Sequence, residues 1–343
     1  MATSPTRPAD ESGDLATRLM DQAMGHLFSA ALRAAAHYRI ADQLAAGPRT
    51  PEQLAVATDT HAPHLRRVLR YLAARGLFRE DASGAYQLTP AAQQLRTDVP
   101  DSLHPAVMML TDELFLRTSA GLTEAVRHGG AAFERLFGAP LFAHLESDPA
   151  KRKLFDDGMA SLAAPVDDAV AAAYPFPATG TVVDVGGGRG GLLRAVLRRH
   201  PALTGVLFDL APPLVHHLLE TDDLKGRWRV QEGDFFAAVP EGGDVYVLKH
   251  VLHDWPDDAC RRILRTCRAA MADGRRLLVV DCVLPPGNAP HFGKTMDVAM
   301  LAVLDGQERN ADEFAALLSA GGFRLTRVLP TPSIPSIMEA VAD

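Results

Sequence analysis

A chain of 343 residues, 47% hydrophobic and 22% charged, is long enough to bury a full core and to divide into two domains. Its formal net charge of −7 argues against nucleic acid as a principal partner, because a phosphate backbone asks for a basic face. No run approaches the roughly 18 apolar residues of a membrane span, and MATSPTRPADESGD has no apolar leader core, so the expectation is a cytoplasmic protein with no membrane partner and a disordered tail over 1–14.

From Leu15 to Leu44 apolar residues recur at helical spacing (Leu15, Leu19, Ala23, Leu27), which predicts about two helices before AAGP stops them. Thr50 then stands as N-cap with Pro51 at the first helical position and Gln53 three residues on, a start signal for a helix. A turn, a second helix and a hairpin-like tail follow, which is the pattern of a winged helix, and 15–101 are taken as one helical domain of this kind. The second helix carries Arg66, Arg67, Arg70, Arg75 and Arg79, so a DNA-reading face has to be weighed. Its apolar stripe of Leu65, Val68, Leu69 and Leu72 turns the arginines away from the core, and in an acidic chain a solvated or intersubunit face is preferred.

Residues 102–343 form the second domain, helical over 102–175 and then, from 176 on, alternating strand and helix. The strands are expected over 181–185, 203–208, 228–232, 244–249, 276–283, 323–329 and 336–341. The helices are expected over 190–199, 212–219, 257–272 and 310–320. That alternation predicts an α/β fold with a Rossmann-like doubly wound sheet. Cys260, Cys267 and Cys282 are odd in number and show no CxxC, so they are expected as buried small hydrophobes.

The stretch VVDVGGGRGG satisfies G-x-G-x-x-G through Gly186, Gly188 and Gly191, and Asp209 closes the next strand. Such glycines let a ligand approach backbone amides at a helix N-terminus, and the acid can accept hydrogen bonds from a ribose diol. Alone, the pattern does not separate a nicotinamide dinucleotide from S-adenosylmethionine. Asp184, inside the strand before the glycines, would repel a pyrophosphate and suits a cationic amino-acid ligand. Asp234 in EGDFF offers an acceptor for an adenine amino group beside the apolar cover of Phe235. His250 and His253, followed by Asp254, have a spacing that resembles metal ligation, but no further cluster supports it and no metal is expected.

DVGGGRG, LFDL, GDFF, LKHVLHDWPDD and GQERNADEF, in that order, resemble the successive motifs of the S-adenosylmethionine-dependent O-methyltransferases of the plant caffeate and bacterial polyketide type. The resemblance spans roughly residues 15 to 341 and implies a class I methyltransferase with an N-terminal dimerisation domain, hence a homodimer. It implies that Asp184, Gly186, Gly188, Gly190, Asp209, Leu210, Asp234, Phe235 and Lys249 lie at the cofactor, whose spent form is S-adenosyl-L-homocysteine. It makes His253 the general base and Glu308 one of two acids flanking it. Where the plant proteins have a second glutamate this chain has the shorter Asp281. The same resemblance places Phe155, Met159, Asp254, Met300 and Leu304 at a small aromatic phenolic substrate. Alternative readings are N- or C-methylation, decarboxylation or hydroxylation with the same cofactor, a nicotinamide oxidoreductase, and a winged-helix regulator that senses a ligand.

Overall fold

Thr50 caps the helix Pro51–Thr58 as its sequence dictates: its hydroxyl accepts from the Gln53 amide at 3.4 Å while the Gln53 side chain accepts from the Thr50 amide at 2.9 Å. This is a computed structural model, and it describes residues 8–342. Of the tail expected over 1–14, residues 1–7 lie outside the described residues, and the first helix, Pro8–Ala23, begins inside it. The chain divides into two units, 1–113 and 114–343.

In the first unit the helices Pro51–Thr58 and Ala62–Ala74 are followed by an antiparallel pair, β1 (Phe78–Glu80) and β2 (Tyr86–Leu88), the wing of the expected motif. Leu54, Leu65, Leu69, Leu72, Phe78 and Tyr86 close its core. The five arginines are exposed. The helix ends at Ala74, so it carries only Arg66, Arg67 and Arg70 of the five, with Arg75 capping its end and Arg79 on β1. Arg66 pairs with Glu52, Arg75 with Asp21, and Arg79 donates to Gln87 on the facing strand. The helix His104–Leu110 also belongs to this unit: Arg33 donates to the Met108 carbonyl at 2.7 Å and pairs with buried Asp112 at 3.1 Å. The first unit therefore takes in residues beyond 101, the end expected for the winged-helix-like domain.

In the second unit seven strands form one sheet: β3 (Gly180–Val185), β4 (Leu203–Asp209), β5 (Trp228–Glu232), β6 (Val245–Lys249), β7 (Arg276–Asp281), β8 (Phe323–Pro330) and β9 (Ser336–Ala342). Their order is β5-β4-β3-β6-β7-β9-β8, parallel up to β7, with β9 antiparallel to both β7 and β8. The chain direction reverses its progress between β3 and β6, and crevices for ligands open at such a switch point beyond the carboxyl ends of the strands.

Strand alternation assigns the side chains to two faces. Val183, Val185, Tyr246, Leu248, Leu277 and Val279 pack under the helices Asp257–Ala270 and Ala311–Ala320. Val182, Val245, Val247, Leu278 and Val280 pack under Pro149–Ala173 and Gly191–Arg199. The helix expected over 212–219 stops at Leu214. The following residues are held by the glycine turn instead, with the Leu218 amide on the Arg189 carbonyl at 2.8 Å and Arg189 on the His216 carbonyl at 2.9 Å. A helix not anticipated, Phe292–Val303, follows a proline- and glycine-rich loop that masked its start, and the His291 ring caps it. The three cysteines are buried thiols. Among the described residues no helix is long and apolar enough to cross a membrane.

Candidate functional site

β3 runs into the turn Gly186–Gly190, where Gly186 and Gly188 hold φ of 67° and 58°, a left-handed backbone that side chains disfavour. A Cβ on Gly186 would stand 2.9 Å from Val251 and 3.5 Å from Phe235, whereas one on Gly188 would meet nothing within 4 Å. The turn is thus closed on one side by the loops after β5 and β6 and open at Gly188. Gly190 caps the helix Gly191–Arg199, whose first amides face this turn.

Asp209, at the end of β4, accepts from the Gly188 amide through Oδ2 and from the Leu210 amide through Oδ1, each at 2.7 Å. Burial raises its carboxyl against those two bonds. Leu210 is exposed beside it. Asp234 is exposed too, and its carboxylate caps its own turn on the Phe236 amide at 2.8 Å. Phe235 is half-buried, edge-on to Trp255.

The alternation that buries Val182, Val245 and Val247 also puts Asp184 and Lys249 on that face. Asp184 is 1% exposed and neither carboxyl oxygen finds a hydrogen-bond partner of ordinary geometry among the described residues. Burial pushes it up to about 7 in spite of nearby Lys249. Lys249 forms an ion pair with Asp167, one turn before Val170 and Ala171 on the helix Pro149–Ala173. A Cβ on Gly191 would fall 2.2 Å from Asp167 Oδ2. Two buried carboxylates and one ammonium therefore converge on the glycine turn. A buried, unpartnered carboxyl, a carboxylate at the end of β4 and an open glycine edge fit a ligand with a cationic amino-acid end and a ribose diol, as S-adenosylmethionine has.

A second group of charges lies on the opposite side of β6 and β7. The register that pairs Lys249 with Val280 sets His250 beside Asp281, and the His250 amide donates to the Val280 carbonyl at 3.0 Å. His250 holds a φ of 53°, and its Nδ1 lies 3.5 Å from Asp281. The 3₁₀ turn Leu252–Asp254 then brings His253 into the same region. His253 Nδ1 lies 2.8 Å from Glu308 Oε1, and its Nε2 lies 3.3 Å from Asp254 Oδ1. Asp281 is fully buried and stands against His250, so it does not reproduce the contact Glu308 makes.

The electrostatics follow from burial of several charges together. Burial alone would lower the His253 imidazole, but Asp254, the Glu308 hydrogen bond and Asp281 outweigh it and raise it to about 10. Burial raises Asp254 and Asp281 to about 6, in spite of His253. Burial, His253 and Lys249 push His250 down to about 3, which leaves it neutral. Donor atoms of His250, His253 and Asp281 lie within 4.8 Å of one another, so the third member beside the two histidines that sequence spacing singled out is Asp281 and not Asp254, although His253 Nδ1 is committed to Glu308.

Among the residues assigned to a substrate wall, Phe155 and Leu304 pack on the cluster of Leu114, Phe133, Leu141, Leu145, Ala302 and Val303. Met159 is exposed and Met300 half-buried. Sequence reasoning passed over Asp167, whose only signal was an acid inside an apolar helical stretch. It also passed over Gly306, where a Cβ would stand 2.0 Å from the His253 carbonyl oxygen.

Residues 120–324 match the O-methyltransferase domain and residues 20–98 the O-methyltransferase dimerisation domain. The chain is 42% identical over 329 residues to the phenazine O-methyltransferase PhzM of Lysobacter antibioticus, covering 95% of this chain and 96% of that protein. Among solved structures it is similar to CalO1, a methyltransferase of calicheamicin biosynthesis in its S-adenosyl-L-homocysteine-bound form. That match has 44% identity and a TM-score of 0.89, covering 99% of this chain and 100% of the other. It is also similar to NcsB1, an O-methyltransferase of neocarzinostatin biosynthesis in complex with S-adenosylmethionine and 2-hydroxy-5-methyl naphthoic acid. There the identity is 37% and the TM-score 0.76, with 92% of this chain and 96% of that one covered.

Proposed function

This chain belongs to the family of S-adenosylmethionine-dependent O-methyltransferases, and from that premise we propose that it methylates a phenolic hydroxyl of a small aromatic natural product, as a homodimer, with His253 as general base. The observation that carries the reading is the His253–Glu308 hydrogen bond in a buried site, which commits Nδ1 and makes Nε2, 3.3 Å from Asp254 Oδ1 in the free protein, the nitrogen an acceptor has to win. The phenazine O-methyltransferase and the naphthoic-acid complex support an aromatic acceptor.

Asp209 would hold the ribose hydroxyls, and Asp184 with the Asp167–Lys249 pair would surround the charged amino-acid end. Bound there, S-adenosylmethionine supplies an electrophilic methyl group. The task left to the protein is to line up the acceptor oxygen and ionise it. A phenol near pKa 10 is about one part in a thousand ionised at pH 7, a cost of roughly 4 kcal/mol. Raised to about 10, the imidazole of the free protein holds a proton on each nitrogen at pH 7, so His253 can take the phenolic proton at Nε2 only once it is neutral, which requires the acceptor to displace Asp254 from Nε2 and remove the largest influence that raises it. The imidazolium then stays beside the phenolate, held by Glu308 at Nδ1.

Incubating the protein with methyl-labelled cofactor and a panel of phenols, catechols and aryl amines, followed by mass spectrometry, tests this. Label on a phenolic oxygen is expected. Label on the amines alone would overturn the acceptor assignment.

A further inference from the structure

Arg309 follows Glu308 directly, yet the proposed reaction gives it no task. It is 1% exposed, and a guanidinium so deeply buried is costly unless every donor is satisfied. Its partners are specific. Nη1 donates to the Leu252 carbonyl at 2.9 Å and to the Gln307 carbonyl at 3.3 Å. Nη2 donates to the Trp255 carbonyl at 3.0 Å, to Asp257 Oδ1 at 2.8 Å and to the Cys260 sulfur at 3.6 Å. Nε reaches the same Asp257 oxygen at 3.1 Å. The Leu252 and Trp255 carbonyls flank the turn that carries His253, so one rigid fork grips the chain on both sides of the imidazole.

The backbone of Arg309 is anchored in turn. Its carbonyl accepts from the Leu284 amide at 3.0 Å, in a bridge between Val283 and Arg309 that continues from β7. Asp297 accepts from the Glu308 amide at 2.9 Å. Gly306 lies against the backbone of His253 and Asp254 so closely that no side chain fits between them. The segment Gly306–Arg309 is thus a mould around the 3₁₀ turn, and the Glu308 carboxylate meets Nδ1 only while that turn keeps its place.

We infer that Arg309 is a positioning residue for the reaction: by clamping the carbonyls of Leu252 and Trp255 it fixes His253 in register with Glu308. This rests on the reading of His253 as the base. A lysine retains the charge but has three donors around one atom in place of five in a planar fork, so it cannot hold both carbonyls and Asp257 together.

The test measures kcat against pH for the wild type, Arg309→Lys, Glu308→Gln, the double variant and His253→Ala. S-adenosyl-L-homocysteine affinity and the thermal melt are recorded for each. Arg309→Lys is expected to lower kcat by about tenfold to a hundredfold, as for a misplaced catalytic group. Its pH inflection should move to lower pH while cofactor-product affinity stays within about twofold. In the Glu308→Gln background the same substitution should add little, because the contact it protects is already altered. Losses that multiply in the double variant, or an unmoved inflection, would overturn the inference and leave Arg309 as ordinary core. If Arg309→Lys does not fold, Asp257→Asn weakens the clamp from its half-exposed end. It should shift the inflection in the same direction by less, and a silent Asp257→Asn would also overturn the inference. Near-normal activity of His253→Ala would remove the base itself, a failure distinct from that of the clamp.

Discussion

Glu308 holds Nδ1 of His253 at 2.8 Å, whereas Asp281, the shorter counterpart of a second flanking acid, lies 3.5 Å from Nδ1 of His250. Of the two flanking acids, one therefore braces the imidazole by a direct hydrogen bond and the other acts on it only through its field, while Asp254 stands 3.3 Å from Nε2. This asymmetry sets what each acid should do when it is changed.

Glu308→Gln keeps a side chain of the same shape and removes the anion. Anionic neighbours raise His253 against its burial, so the inflection of kcat with pH should move to lower pH, by about one unit or more. A kcat profile for the two proteins on one phenolic acceptor checks this. An inflection that follows the substrate's pKa and ignores the substitution would show that Glu308 does not tune the base.

Asp209 already accepts two backbone amides, and each carboxylate oxygen has a further lone pair for a diol. Asp209→Ala should weaken S-adenosyl-L-homocysteine binding by about 1 to 3 kcal/mol, because the ribose hydroxyls go unpaired. Calorimetry reads the change directly. Equal affinities would take Asp209 out of the cofactor site.

Asp184 should cost the ligand-free protein stability at neutral pH. Its folded pKa of about 7 stands above the ordinary 3.8, so its contribution is fully present below 3.8 and is lost as pH rises through 7. Asp184→Asn is neutral throughout. Its melting temperature relative to wild type should be highest at pH 8 and fall steadily as pH drops towards 4, a change on the order of a few kcal/mol in stability. A constant offset across that range would mean that Asp184 does not titrate as burial dictates. The same variant should bind the cofactor product more weakly, since a cationic group loses its buried counter-charge.

Much of the fold was legible because it is written in period. The rhythm of strand and helix from residue 176 on located β3 and β6, and Thr50 with Pro51 and Gln53 marked a helix start that the structure reproduces. The site was legible where one residue type is nearly forced, as at Gly186 and Gly188. It was hidden where a role depends on a partner far along the chain. Nothing local to Asp167 announces Lys249, and nothing local to Arg309 announces the carbonyls of Leu252 and Trp255. The segment after Leu214 misled because its helical pattern competes with the Arg189 contacts, which no window of local sequence contains.

The helix Pro8–Ala23 leaves Leu15 and Leu19 each 62% exposed, with Met20, and Met24 just past its end, also exposed. An apolar stripe of that kind, running directly into the segment 20–98 that matches a dimerisation domain, calls for a covering partner. Leu19→Glu should place a charge in the covered interface and shift the mass found by light scattering at micromolar concentration towards that of one chain. An unaltered dimer would locate the interface elsewhere in the first unit.

His253→Ala separates base catalysis from positioning alone. If the imidazole takes the phenolic proton, kcat should fall by about 10² to 10⁴ while cofactor affinity is nearly unchanged. The variant should then regain rate as pH approaches the phenol's own pKa, because hydroxide does the ionising. The wild type should follow its imidazole, which is told apart from the substrate on acceptors whose own pKa lies well away from 10. Its imidazole is raised to about 10 by Asp254, Glu308 and Asp281, so the plateau of kcat should lie well above the pH where an ordinary histidine titrates. A plateau near 6.5 would mean that the bound acceptor displaces Asp254 from Nε2 and cancels its effect, a contact that stands at 3.3 Å in the free protein. If alignment alone drives the reaction, the alanine variant would keep within about tenfold of normal activity and both profiles would follow the substrate. A large loss of cofactor affinity would defeat both versions, since the turn Leu252–Asp254 would then be a structural support of the glycine turn, which it approaches through Val251.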